Sequence, residues 1–498
     1  MISAGSTKHW IIEQSEKQPG KNAVILEDRI ITYGELADEC FAAAEFMIDN
    51  GICKGDRIAV LFSHNYNFLT IINALWIIGA VPVPISTQLL PAELEKQINK
   101  VEIKFLIFDE KTAAQYSELS FPDKIHFPFR ETKDHIVTNP EKHNVLRSAD
   151  YSPLDPSLIM FTSGSTGDPK AVVHTFRSLY QSVKATDSFA MLSDDDIWFS
   201  SLPLFHIGGF MILIRSLISG SALVFPSGLR YENIVAGIRQ FRPTCISLVP
   251  TMLHRLLKNN FSPASNLRFL FLGGGPSEEQ LYLDAIDRGW PVVKVYGSTE
   301  TCSMVTALPA TSFRNYISSS GKPLGQNRIM IQHSLPENDE ANSMVPESGE
   351  IYIASDSLFK EYYKDFEATA GKIINGWYHT GDLGRIDNNG YLFVESRRED
   401  LIITGGENVS CAEVENAIST FPGVSDVYVF SLEDSNWGQI VCAAVECADI
   451  KENDLKKFLK TKLAGYKIPK RIFQLAILPR NEMGKIIRPA LLKELNLD

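Results

Sequence analysis

The chain has 498 residues, 44% of them hydrophobic, which is more than one core can use, so two or more domains are expected. Its formal charge of -12 disfavours general affinity for nucleic acid or anionic lipid, so any phosphate must be held locally. Seven scattered cysteines form no C-x-x-C pair and no metal-spaced cluster, and the first twenty residues lack a secretory pattern; reduced thiols and a cytoplasmic location are expected.

In chain order, apolar runs at 57–62, 104–108, 158–161, 222–225 and 267–272 are short and rich in Val, Ile, Leu and Phe. Helix-length periodic segments separate them, an alternation that predicts an α/β architecture with largely buried sheets. The most apolar stretch, 68–85, is interrupted by Asn73, Gly79, Pro82 and Pro84, which predicts a buried helix running into a strand and no membrane-spanning segment. The polar, acidic segment 335–350 reads as an exposed loop, and 376–390, punctuated by glycines and Asn388-Asn389-Gly390, as a turn between strands. Beyond Asp400 the pattern predicts a helix at 412–421, strands at 427–431 and 440–447, a helix at 452–463 and a basic tail at 466–488. Together these make a small α+β domain, 400–498, after a large N-terminal domain, 1–399.

The chemistry concentrates first at Thr162-Ser163-Gly164-Ser165-Thr166-Gly167-Asp168-Pro169-Lys170, which follows an apolar strand. Hydroxyls, glycines and a lysine this close together make a loop whose amides and side chains can surround a polyphosphate. The Walker A spacing is absent, and a flexible linker would not sit between two apolar runs.

SGSTGDPKAVVHT resembles the phosphate loop of the adenylate-forming superfamily of acyl-CoA synthetases, nonribosomal adenylation domains and luciferases. Four further segments match that family's motifs in order: Tyr296-Gly297-Ser298-Thr299-Glu300-Thr301, His379 to Gly384, Arg397 to Gly406, and Pro479 to Lys485. The resemblance implies an α/β fold with a mobile C-terminal lid, and an enzyme that joins a carboxylic acid to a thiol through an acyl-adenylate. ATP, magnesium and coenzyme A are its implied cofactors; a small carboxylic acid and coenzyme A, or a carrier protein, are its implied partners.

Carried over residue by residue, Glu300 offers magnesium a hard oxygen and Thr299 faces the α-phosphate. Thr166 belongs with the catalytic set. Asp382 accepts both ribose hydroxyls, with Arg397 beside it. Gly273-Gly274-Gly275-Pro276 resembles the segment against adenine, though a Gly-Pro turn alone would be structural. Attack of a carboxylate on the α-phosphate brings two anions together, and Lys485 resembles the lysine that relieves their repulsion. His206 matches a gate beside the acyl pocket, with Gly209 and Arg215 nearby; a lone histidine or helix arginine is otherwise ordinary. Asp400 matches the hinge about which the lid exchanges Lys485 for the Gly405-Gly406 face, where the pantetheine of coenzyme A runs.

Two positions depart from the family: Ile403 replaces a frequent lysine, and Cys411 a frequent proline. The segment 397–408, the Phe-His-Ile segment and Arg215 look most like the 2-succinylbenzoate:CoA ligases of menaquinone synthesis, where Arg215 would meet a second carboxylate. Gly208 stands where that subgroup is expected to carry a small hydroxyl residue. A fatty- or aryl-acid:CoA ligase and a stand-alone adenylation enzyme are the alternatives.

Overall fold

A computed structural model describes residues 7–116, 123–126, 145–162, 169–275, 279–332, 348–396, 401–447, 450–480 and 486–497. The expected α/β architecture is present. Strands Val81–Pro84, Arg57–Leu61, Phe105–Phe108 and Asp123–His126 form an all-parallel sheet. Ile58, Ala59, Val60 and Leu61 are all buried, because such a sheet is covered on both faces and needs no polar alternation. The apolar stretch 68–85 is the helix Asn67–Ile78 turned at Gly79, which lies at φ 81°, directly into Val81–Pro84. Among the described residues no helix is long and apolar enough to cross a membrane.

A nine-stranded sheet is the largest unit among the described residues. Its inner strands Val292–Ser298, Phe269–Leu272, Cys245–Leu248, Ile197–Phe199, Ala222–Val224 and Asn22–Ile25 run parallel. Antiparallel strands flank them on both sides. Helices Tyr33–Asp49, Asn67–Ile78, Phe176–Ala190 and Ile207–Ser219 supply the apolar core over this sheet, with Trp10 edge-on to Trp76 at 5.5 Å and Tyr151 stacked on Phe176 at 4.1 Å.

Strands Pro156–Thr162 and Lys170–Thr175 pair antiparallel, with Thr162 opposite Lys170. Strand Trp377–Ile386 runs through most of the segment read as a turn, so that reading is corrected: only Asp387 to Gly390 turns, into Leu392–Ser396. Trp377–Ile386 is a strand of a five-stranded antiparallel sheet in which only Tyr378, Thr380 and Gly384 are buried, so its polar residues and glycines hid it. The acidic segment 335–350 lies outside the described residues up to 347; its last two residues begin strand Gly349–Ala354.

The C-terminal part is an α+β unit whose sheet orders Glu407–Ser410, Leu401–Thr404, Gly438–Cys447 and Val424–Asp434. Helices Cys411–Ser419 and Glu452–Leu459 pack on it. The basic tail is more than a tail: Arg471–Leu475 adds a strand parallel to Gly438–Cys447, its Ile472 and Phe473 half-buried.

Candidate active site

Ligands of open α/β sheets gather at the carboxyl ends of the parallel strands. Here those ends deliver Ser298 and the Thr299-Glu300 turn, Gly273 to Gly275, Val249, and the Ser200 to His206 loop, side by side along one edge.

Glu300 is buried, and its Oε1 accepts a hydrogen bond from the Tyr362 hydroxyl at 2.8 Å. The Lys170 ammonium lies 4.8 Å from the centre of the same tyrosine ring, an attraction between cation and ring face. Lys170 thus reaches the Glu300 turn through Tyr362, a residue that sequence reasoning missed. Thr299 is fixed through its carbonyl, which accepts from His174 Nε2 at 2.9 Å and from the Cys302 amide at 3.0 Å. Burial lowers the His174 pKa to about 4, so the ring is neutral and can hold Thr299 as a donor.

Asp382 lies on Trp377–Ile386, after Gly381 at φ 81°. Its Oδ2 accepts from the Tyr296 hydroxyl at 2.6 Å. Gly297 is required by packing, since a Cβ there would stand 1.9 Å from the Ser303 carbonyl oxygen. Gly209 is required likewise: its Cβ would meet the Pro203 carbonyl oxygen at 2.1 Å, so close packing of the 202–206 loop explains this glycine. Gly208 has room, its Cβ meeting only Leu202 Cδ1 at 3.4 Å.

His206 caps the start of helix Ile207–Ser219, and its Nε2 lies 2.9 Å from Glu407 Oε2, across the boundary between the two domains. The Gly405-Gly406 turn between Leu401–Thr404 and Glu407–Ser410 faces the N-terminal domain. Gly406, at φ 90°, abuts Val249, and Ile403 packs against Gly275. The isoleucine that departs from the family's lysine therefore makes an apolar contact on the glycine segment. Cys411 opens its helix buried, behind the cap of Ser410.

Arg215 is 1% exposed. It donates to Thr186 Oγ1 at 3.3 Å and Ser303 Oγ at 3.1 Å, and its guanidinium lies 5.8 Å from the Trp198 ring. No carboxylate among the described residues pairs with it, and burial lowers its pKa to about 10. Ser163, Gly164, Ser165, Thr166, Gly167, Pro276, Arg397, Asp400 and Lys485 lie outside the described residues. The ends of the phosphate loop, Thr162 and Lys170, are nonetheless adjacent across their hairpin.

Residues 11–363 match the model of the AMP-binding enzyme family, and 413–485 that of the AMP-binding enzyme C-terminal domain. A 2-succinylbenzoate–CoA ligase of Bacillus cereus is 32% identical over 483 residues, 96% of this chain and 97% of that one. A doubly substituted o-succinylbenzoate CoA synthetase of Bacillus subtilis, bound with its product analogue OSB-NCoA, superposes with TM-score 0.89 at 31% identity, covering 98% of both chains. The synthetase in complex with its acyl-adenylate intermediate OSB-AMP superposes at 0.72 with 31% identity, over 97% of this chain and 98% of that one.

Proposed function

The chain belongs to the family of AMP-binding enzymes, and from that premise we propose that it is an ATP-dependent carboxylic acid:CoA ligase whose acid is 2-succinylbenzoate. The observation that carries the reading is a pair of contacts joined by the segment 296–300 at the carboxyl edge of the large sheet: Asp382 with Tyr296 at one end, and Glu300 with Tyr362 and Lys170 at the other. One end suits a ribose, the other a polyphosphate.

Glu300 fits magnesium. Among the described residues no three metal-binding side chains converge, and magnesium needs only one or two carboxylates when phosphates and water complete its shell. Bound there, the ion would supply charge neutralisation for the phosphates. The chain's own residues do the rest. Lys170 and the loop 163–168 bind the phosphates, Asp382 and Arg397 orient the ribose, and Gly273 to Pro276 flank the adenine. Lys485, with Thr166, neutralises the acid carboxylate as it meets the α-phosphorus; pyrophosphate leaves and the acyl-adenylate remains.

Thioester formation then uses a second lid orientation, with Asp400 as the hinge between domains 1–399 and 400–498. The described arrangement fits that stage, since Gly405-Gly406 lies against Val249 and Glu407 against His206. The higher TM-score with the product-analogue complex supports the same assignment. Arg215 supports the choice of acid, as a buried cation with no carboxylate partner among the described residues suits a substrate that brings a second one. No disulfide forms among the described cysteines, which supports a cytoplasmic setting.

The test is ATP–pyrophosphate exchange over a panel of acids, with the CoA thioester read by mass. Exchange and thioester with 2-succinylbenzoate are expected; exchange with other acids and not this one would overturn the substrate, and exchange with none the activity. Lys485→Ala should abolish exchange and leave transfer from preformed adenylate intact.

A further inference from the structure

A second contact crosses the domain boundary. Lys467, 7% exposed, places its ammonium 2.7 Å from Glu93 Oε1 and 2.7 Å from Glu413 Oε1. Glu413 shares the C-terminal domain with Lys467, whereas Glu93 belongs to the N-terminal one. Each glutamate occupies the third position of its helix, Pro91–Lys100 or Cys411–Ser419, where the helix end favours negative charge. The Leu90 amide donates to Glu93 Oε2 at 2.9 Å, leaving Oε1 aimed at the lysine. Burial raises the Glu413 pKa, which Lys467 opposes; burial also works against the lysine's charge, but the two carboxylates outweigh it and raise its pKa.

We propose that Glu93 and Lys467 are a positioning pair that holds the C-terminal domain in the thioester-forming orientation. The inference rests on the two-orientation reading given above. Removing one partner from a buried ion pair leaves an uncompensated charge, which would make such a contact hard to release. This cluster avoids that outcome. When the domain turns, Lys467 keeps Glu413 and Glu93 keeps the Leu90 amide, so each charge retains a partner while water returns. Such a pair engages and releases in every cycle, unlike a fixed structural bridge.

Glu93→Gln removes the charge and keeps an acceptor for Leu90. Thioester formation from preformed acyl-adenylate should fall roughly ten-fold, the scale of an ordinary coupling between sites, with ATP–pyrophosphate exchange unchanged. Exchanging the charges, Glu93→Lys with Lys467→Glu, should restore most of the loss. Small-angle scattering of the ligand-free full chain gives a readout that needs no activity, and Glu93→Gln should broaden the distribution of domain orientations. Equal loss in both half-reactions, or unchanged transfer with unchanged scattering, would overturn the pair. A wild-type chain that exchanges with no acid would instead overturn the ligase reading, and the scattering comparison would still decide the pair.

Discussion

The Tyr296 hydroxyl donates to Asp382 Oδ2 at 2.6 Å, joining the end of a buried parallel strand to a strand of the antiparallel sheet. Asp382 also takes its backbone order from Thr380 Oγ1, which accepts the Asp382 amide at 3.0 Å. The carboxylate is therefore held in one orientation by the fold itself. Tyr296→Phe should raise the KM for ATP about ten- to hundred-fold, as loss of one hydrogen bond to a charged group implies, with kcat nearly unchanged. Initial rates of exchange against ATP concentration check this; a kcat effect with constant KM would contradict it.

Tyr362 is the hinge of a second relationship. It is buried, and its hydroxyl is the side-chain donor that fixes Glu300, while its ring lies under Lys170. Tyr362→Phe keeps the ring and removes the donor. Exchange should slow about ten-fold or more, with half-activation moved to higher magnesium, because a buried carboxylate left less ordered holds a cation in fewer productive geometries. Tyr362→Leu should slow it further by removing the surface under Lys170. Magnesium titrations of the exchange rate decide between loss of positioning and general damage, which would leave the magnesium midpoint in place.

Much of this was legible in the sequence, for identifiable reasons. Strands such as Arg57–Leu61 and Phe269–Leu272 are buried on both faces, so their apolar runs stand out. Strand Trp377–Ile386 was masked because it is half-exposed and carries Gly381 and Gly384, which resemble punctuation. Asp382, Glu300 and Lys170 stand in recognisable motifs. Their partners do not: Tyr362 meets Glu300 from the two-residue strand Glu361–Tyr362, 62 residues later, and Glu407 meets His206 from 201 residues away. Nothing local marks a residue whose significance comes from a contact that distant. His174 was within reach, since it stands inside the phosphate-loop motif, but its ring points to a carbonyl and not to a ligand.

Two buried histidines, His9 and His174, and the half-buried His64 give the fold an acid-sensitive side. Burial lowers the pKa of His9 to about 3, and of His64 and His174 to about 4, each from 6.5. The unfolded chain takes up protons near 6.5 and the folded chain resists until near 4, so the unfolded state binds more protons between them. Stability contributed by the neutral rings is thus present above pH 6.5 and lost as pH falls toward 4. His64 alone accounts for about 3 kcal/mol of that loss. Urea unfolding at a series of pH values should show it, and His64→Asn should flatten the slope by about one proton. Because His174 holds Thr299, its protonation should also unseat the Glu300 turn, and exchange activity should fail on the acid side before global unfolding does.

Arg215 offers the sharpest separation of stability from specificity. A buried guanidinium beside Trp198, donating to the Thr186 and Ser303 hydroxyls, costs desolvation that no carboxylate among the described residues returns. Replacing a buried charge by an apolar side chain of similar length is often neutral or stabilising. Arg215→Met should therefore leave the thermal midpoint unchanged or raise it by about one degree for each kcal/mol gained in a chain of this size. The same change should raise the KM for 2-succinylbenzoate by about a hundred-fold, the scale of a buried charge-assisted contact, and leave a monocarboxylic aryl acid almost unaffected. Arg215→Lys should recover little, because a compact ammonium cannot reproduce the planar fork. If both acids lost affinity alike, the arginine would be a structural residue of the pocket wall, and the second carboxylate would have to be met elsewhere.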